Sequence, residues 1–164
     1  MREDEELWSF TLSFYALPGV AESCLRLQEE AGVDVNLLLT GLWLGLSGRG
    51  ALRPDWQADA TLRSWREEVI QPLRGLRRLL KGKGEDDFRE DLRRLELASE
   101  RIYQRKLLGA LTAECLPPSG PVEDATRNLH LLGGGGSPLL HQRLQEWPVR
   151  SSDSPPSHVV SQNP

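Results

Sequence analysis

The sequence predicts an all-α protein, and three observations carry that prediction. Leucine is abundant while β-branched residues are scarce, which favours helix over strand. Apolar residues recur at three- and four-residue spacing along most of the chain. One stretch, residues 35–46, has apolar side chains at 35, 37, 38, 39, 42, 43, 44 and 46, on every face of a helix. Such a helix is either buried or in a membrane. Twelve residues fall well short of the about 20 that a bilayer core needs, so the stretch reads as a buried central helix wrapped by the others. At 164 residues the chain has room for one domain with a real core, not two. The predicted architecture is a single-domain bundle of five or six helices over residues 1–132, followed by a disordered Gly/Ser/Pro-rich tail over 133–164.

The elements follow in order. Leu7, Trp8, Thr11, Leu12 and Tyr15, with Phe10 and Phe14 on a second stripe, predict a first helix over 5–15. Leu17-Pro18-Gly19 stops it. A second helix over 20–31 buries Val20, Cys24, Leu27 and Ala31, with Gly32 just past its end, where a positive φ is wanted. Asp34 is the natural N-cap of the central helix. Beyond a loop to about Asp59, the residues Leu62, Trp65, Val69, Leu73, Leu76 and Leu80 form one stripe. Pro72 lies inside that stripe and must kink the segment or split it near Gln71. Lys81 to Gly84 make a turn. The acidic Glu85-Asp86-Asp87 opens a long helix with a seam of Phe88, Leu92, Leu95, Ser99, Ile102, Lys106 and Gly109, enlarged at its far end by Leu107, Leu108 and Leu111 and closed by Pro117-Pro118. A short helix reaches Leu132, and Gly133–Gly136 reads as a flexible break. The segment 137–147 is a marginal helix that needs a surface to rest on. Deleting 133–164 is therefore expected to leave thermal stability nearly unchanged.

The net charge of −4 is too small, and of the wrong sign, for a general polyanion binder. The charge is polarised, however. Residues 1–34 carry eight acidic groups against two basic ones, and residues 63–83 carry Arg63, Arg66, Arg74, Arg77, Arg78, Lys81 and Lys83 against Glu67 and Glu68. Cys24 and Cys115 lack CxxC spacing, and the acidic N-terminus has no basic region followed by an apolar run. A reducing cytoplasm with free thiols is expected.

The patterns Leu-Trp-x-Phe at 7–10, Tyr15, Pro18-Gly-Val, Cys24-Leu-Arg-Leu-Gln28 and Asp34-Val-Asn-Leu-Leu-Leu39 occur together with Trp43. So do the Trp65-Arg66, Val69 and Pro72-Leu-Arg74 run and the Tyr103, Lys106-Leu-Leu segment. As a set, over roughly 5–132, they resemble a bacterial family of short helical proteins classed as a domain of unknown function. The resemblance implies a small helical fold and brings no activity, cofactor or catalytic residue with it.

No catalytic set, metal site or cofactor is assigned from the sequence. Asp55/Asp59 and Asp87/Asp91 share i, i+4 spacing, which on opposed helix faces would suit a divalent cation and a diphosphate. Asp87 sits where a helix start wants acid anyway, and Asp55 falls in the loop. His130, His141 and His158 form no zinc pattern, and the Gly run lacks the Lys-Ser/Thr of a phosphate loop. Two readings of function remain. In the first, the basic helical surface of Arg66, Arg74, Arg77, Arg78 and Lys81 makes the protein an adaptor or regulatory module for an acidic protein partner. The plainer account of that surface is a solvated face paired internally with the acidic N-terminal helices. Aromatics do not interleave with these cations, which disfavours nucleic acid. In the second, Gln28 and Asn36 mark the floor of a polar pocket in a small enzyme or ligand-binding protein. The readings separate on whether a cavity lined by titratable groups exists.

Overall fold

The computed structural model describes residues 2–149, all in one helical domain. In chain order the helices are α1 (Glu3–Tyr15), α2 (Val20–Ala31), α3 (Val35–Leu46), α4 (Ala60–Trp65), α5 (Gln71–Leu79), α6 (Asp86–Leu111), α7 (Pro121–Leu131) and α8 (Pro138–Glu146). A π-helical turn, Arg66–Ile70, joins α4 and α5 into one continuous rod, and a 3-10 turn, Thr112–Glu114, extends α6. Among the described residues the only β pairing is an isolated bridge between Leu52 and Cys115.

Helix α3 is the centre. Asn36 and every residue from Leu38 to Leu46 is buried. Its boundaries are those the sequence predicts: Gly32 sits at φ 64° past α2, and the Asp34 carboxylate accepts from the Leu37 N–H at 3.1 Å. Two glycines decide what lies against it. A methyl group on Gly45 would overlap the backbone of Ala125, and one on Gly41 would strike Leu132. Helix α7 therefore lies against α3 closer than side chains on that stripe would allow. Asn128, fully buried on α7, ties the contact together. Its amide donates to the Gly41 carbonyl (2.8 Å) and the Gly50 carbonyl (3.4 Å), and its oxygen accepts from the Leu52 N–H (2.7 Å).

Pro72 does not break the rod. The Gln71 N–H bonds to the Arg66 carbonyl, five residues back, so the wide turn makes room for the pyrrolidine ring just past the π segment. The extra residue rotates everything after it by about 100°, the step per residue at 3.6 residues per turn. This corrects the single stripe read from sequence. Leu62 and Ile70 are buried, but Leu76 is 40% exposed, and the residues aimed at α6 in the next turns are Arg74 and Arg77. The first part of the α6 seam shifts as well, to Leu92, Glu96, Ser99 and Tyr103, leaving Phe88 and Leu95 exposed, while Leu107, Leu108 and Leu111 are buried at the far end as expected.

The flexible tail expected from Gly133 is corrected over 133–149. The Gly run is a tight turn, with the Gly134 N–H bonded to the Leu129 carbonyl at 2.8 Å and the Ser137 N–H to the Gly134 carbonyl at 3.1 Å. Helix α8 then docks on the core: Leu140 and Leu144 are fully buried, and Trp147 meets Phe10 edge-on at 5.1 Å between ring centroids. The short helix has found the surface it needs. Residues 150–164 of the expected tail lie outside the described residues.

Two tests follow from this packing. Gly45→Ala should lower stability by about 1–3 kcal/mol through overpacking against α7, whereas Gly75→Ala, at an exposed helical position with nothing within 4 Å of the added carbon, should raise it by about 0.5–1 kcal/mol. Thermal melts of the two variants check the pair of signs. Leu144→Ala should cost about 2–5 kcal/mol, and a melt indistinguishable from the parent would show that α8 does not rest on the core.

Candidate functional site

The site is built where the shifted phase of α5 meets the start of α3. Asp34 fixes the frame. Besides capping α3, its second carboxylate oxygen accepts from the Tyr103 hydroxyl of α6 at 2.6 Å and lies 3.6 Å from the Arg66 guanidinium of the π turn. Burial, with the Asp34 charge and hydrogen bond adding to it, raises the Tyr103 phenol far above its ordinary value, so this hydroxyl stays a donor. One carboxylate thus ties α3, α6 and the π turn together, and the next turns of α5 and α6 face each other across a gap.

Four charged groups face one another in that gap. The Arg74 guanidinium donates to Glu96 at 3.0 Å and to Glu100 at 2.8 Å, and Arg77 donates to the other oxygen of Glu96 at 2.5 Å. The Glu96 side chain is 9% exposed, that of Arg74 18% and that of Glu100 20%, so these pairs are shielded from solvent. Burial pushes the Glu96 carboxyl upward, but the hydrogen bonds and charges of Arg77 and Arg74 outweigh it and hold the group below its ordinary value. For Glu100 the balance goes the other way. Burial, with Glu96 adding to it, raises its pKa against the opposing pull of Arg74 and Asn36. Burial first, then Cys24, Glu100 and Glu96, raises the Tyr15 phenol. Two neighbouring carboxylates are driven in opposite directions, with Arg74 shared between them.

Around this cluster lies a half-open cavity of about 400 Å³. Helix α1 contributes Trp8, Thr11, Leu12 and Tyr15; α2 contributes Leu25 and Gln28; the start of α3 contributes Val35, Asn36 and Leu39. Helix α5 supplies Arg74, Arg77 and Arg78, and α6 supplies Arg93, Glu96, Leu97 and Glu100. Beside it, the Thr11 hydroxyl bonds the Gln104 oxygen at 2.9 Å, which leaves the buried Gln104 amide nitrogen without a partner among the described residues.

The residues singled out from sequence are thus distributed unequally. Gln28 and Asn36 do line a cavity together. Arg74 and Arg77 face its interior rather than solvent. Arg66 is held by Asp34, Arg78 lies at the rim 3.8 Å from Glu29, and Lys81 is exposed in the following turn. Only Arg66 and Arg78 pair with the N-terminal acidic segment; the main partners are on α6. Glu96, Glu100, Arg93 and Tyr15 were not read as site residues. The signal was available for Glu96, a carboxylate in the same helical register as Leu92, Ser99 and Tyr103. The two aspartate pairs do not assemble. Asp59 caps α4 through the Leu62 N–H at 2.9 Å, Asp55 pairs with Arg53 at 3.0 Å, and no group of three metal-ligating side chains occurs among the described residues.

The fold and site together define an all-α protein with a charged, half-open cavity beside the start of its central helix. The chain belongs to the family described as a protein of unknown function, DUF2390, whose model matches residues 6–107. No curated protein and no solved structure matches it. No helix among the described residues is long and apolar enough to cross a membrane.

The opposite shifts of the two carboxyls give a pH test. Glu96, with its folded value depressed, contributes stability that is present above its ordinary 4.5 and lost as pH falls through the folded value. Glu100, with its value raised, contributes stability present in acid and lost as pH rises from 4.5 through its folded value. Thermal midpoints of Glu96→Gln should therefore fall less steeply than the parent's on acidification below 4.5. Those of Glu100→Gln should rise relative to the parent as pH is raised above 4.5.

Proposed function

We propose that the protein binds a small ligand in the cavity between α1, α2, α5 and α6. The observation that carries this reading is the coexistence there of a shielded ion-pair cluster and open apolar walls. Leu12, Tyr15, Leu25 and Leu97 are 48%, 40%, 44% and 39% exposed, all on the lining of one concavity. Its volume lies within the ~300–1,000 Å³ typical of ligand sites, which pair apolar walls with a few fixed polar groups. Both carboxylates of the lining are held in ion pairs by Arg74 and Arg77, which supports binding rather than a reaction. Cys24 is buried, with burial pushing its thiol up to about 12, and both cysteines are free, which supports a reducing, cytoplasmic setting.

The test uses N-phenylnaphthylamine, a neutral dye that fluoresces in apolar sites. It should bind saturably with one site per chain and quench Trp8 on the cavity wall. Leu25→Trp and Leu97→Trp, which fill the cavity from exposed positions, should weaken binding by at least about tenfold, or ~1.4 kcal/mol, at unchanged thermal midpoint. Equal binding by parent and filled variants would overturn the reading.

A second reading, an adaptor for an acidic protein partner, draws support from the tip of the α5–α6 pair. Leu76, Leu79, Phe88 and Leu95 are exposed there, near Arg78 and Lys81. Arg78→Glu with Lys81→Glu should then abolish partner capture in a pull-down while the fold persists.

A further inference from the structure

We propose that the ligand of this cavity is an amphiphilic carboxylate, a medium-length acyl or arylalkyl anion held head-first by Arg78 and Arg93; the inference rests on the cavity reading and names its chemical class. The charge balance of the lining comes first. Four guanidiniums face two carboxylates there. Arg74 and Arg77 are taken up by Glu96 and Glu100. Arg78 and Arg93 have their only ion-pair partners, among the described residues, outside the lining: Glu29 at 3.8 Å and Glu90 at 3.0 Å. Their side chains are 51% and 58% exposed, and so are those partners in large part. The Arg78 pair, a single exposed contact, contributes little net stability and is exchanged for a ligand anion at small cost, while Arg93, forked on Glu90 through Nε and Nη2, keeps its Nη1 donors for the ligand.

Register brings the two cations to the same end. Arg74 reaches both Glu96 and Glu100, whereas Arg77, a turn further along α5, reaches only Glu96. The helices therefore run antiparallel, and one step beyond lie Arg78 on α5 and Arg93 on α6. The apolar part of the lining is Leu12, Tyr15, Leu25, Leu39 and Leu97, with Leu97 one turn along α6 from Arg93. A cationic mouth leading to an apolar trough selects a molecule with an anionic head and an apolar body. The planar guanidinium fork matches a carboxylate through two parallel hydrogen bonds. At the ~30 Å³ that a water-sized group occupies, a cavity of about 400 Å³ encloses roughly a dozen such groups, the size of a medium-chain acid.

The experiment displaces N-phenylnaphthylamine from the full-length protein with decanoate and with decanol, which share a chain and differ in head group. Decanoate should displace the dye at a concentration about tenfold below that of decanol, the preference expected of a charge-assisted contact, and the gap should shrink as salt is raised. In the double variant Arg78→Ala, Arg93→Ala the ratio of the two affinities should collapse to near unity, with the thermal midpoint showing that the fold is kept. Equal displacement by the acid and the alcohol in the parent, or an unchanged preference in the double variant, would overturn the carboxylate assignment while dye binding leaves the cavity reading standing. A parent that binds no dye overturns the cavity reading itself, and this inference with it.

Discussion

Helix α3 has no face turned to water, and the rest of the fold is arranged to meet that condition. An apolar helix that is buried on all sides needs a neighbour on each, and its polar backbone ends need partners supplied by the protein. The two ends are solved differently. At the N-terminus a single carboxylate, Asp34, caps the helix and takes the Tyr103 hydroxyl, which holds α6 in place. Further along the helix, glycine at 41 and 45 admits α7 to within backbone contact, and Asn128 satisfies groups on α3 and on the loop that follows it. Both polar groups are tied into hydrogen bonds on every side, the condition under which a buried polar network specifies one arrangement rather than weakening the core.

The cavity is a consequence of that frame combined with one backbone irregularity. Had α4 and α5 formed a regular helix, Leu73, Leu76 and Leu80 would have continued the stripe that begins at Leu62, and the arginines would have faced water. The π turn before Pro72 inserts a residue and turns Arg74 and Arg77 toward α6 instead. Apolar packing of α5 on α6 is thereby exchanged for ion pairs, and α5 has no buried residue of its own. Partly buried ion pairs stabilise little beyond their desolvation cost. What they provide is a fixed array of charge beside apolar walls. π turns of this kind recur at functional sites for the same reason, because they re-aim side chains that a regular helix would point elsewhere.

Much of the fold was legible where local signals and tertiary packing agree. The limits of α2 and α3 follow from Gly32, Asp34 and the unbroken apolar run, and each of these acts within a few residues of its own position. The errors have a common physical origin in longer-range geometry. Periodicity assumes 3.6 residues per turn throughout, so a single π turn displaced the whole phase of α5 and hid Arg74 and Arg77 behind an apparent solvent face. The first part of the α6 seam was misread because Glu96, a carboxylate, occupies a core register and is tolerated there only by partners on another helix. Helix α8 looked too short to persist, and taken alone it is; its order comes from Phe10, Phe14 and the core leucines, which no local pattern can announce. For the site, Asn36 and Gln28 were visible as polar residues beside apolar runs, whereas Glu100 and Arg93 looked like an ordinary helix surface.

The division of labour between the two halves of the chain follows from these contacts. Every residue lining the cavity lies between Trp8 and Glu100, inside the segment 6–107 that the family model matches. Helices α7 and α8 lie beyond that segment and cover the faces of α3, α1 and α2 that point away from the cavity, through Leu129, Leu140 and Leu144. Helices α1, α2, α3, α5 and α6 thus carry the concavity and its charges, and the last two supply burial for the central helix. A change in α7 or α8 acts on the cavity through the positions of α1, α2 and α3, whereas a change in the π turn acts on it directly by rotating Arg74 and Arg77. The chemistry of the site is therefore set by the phase of one helix, and its stability by the burial of another.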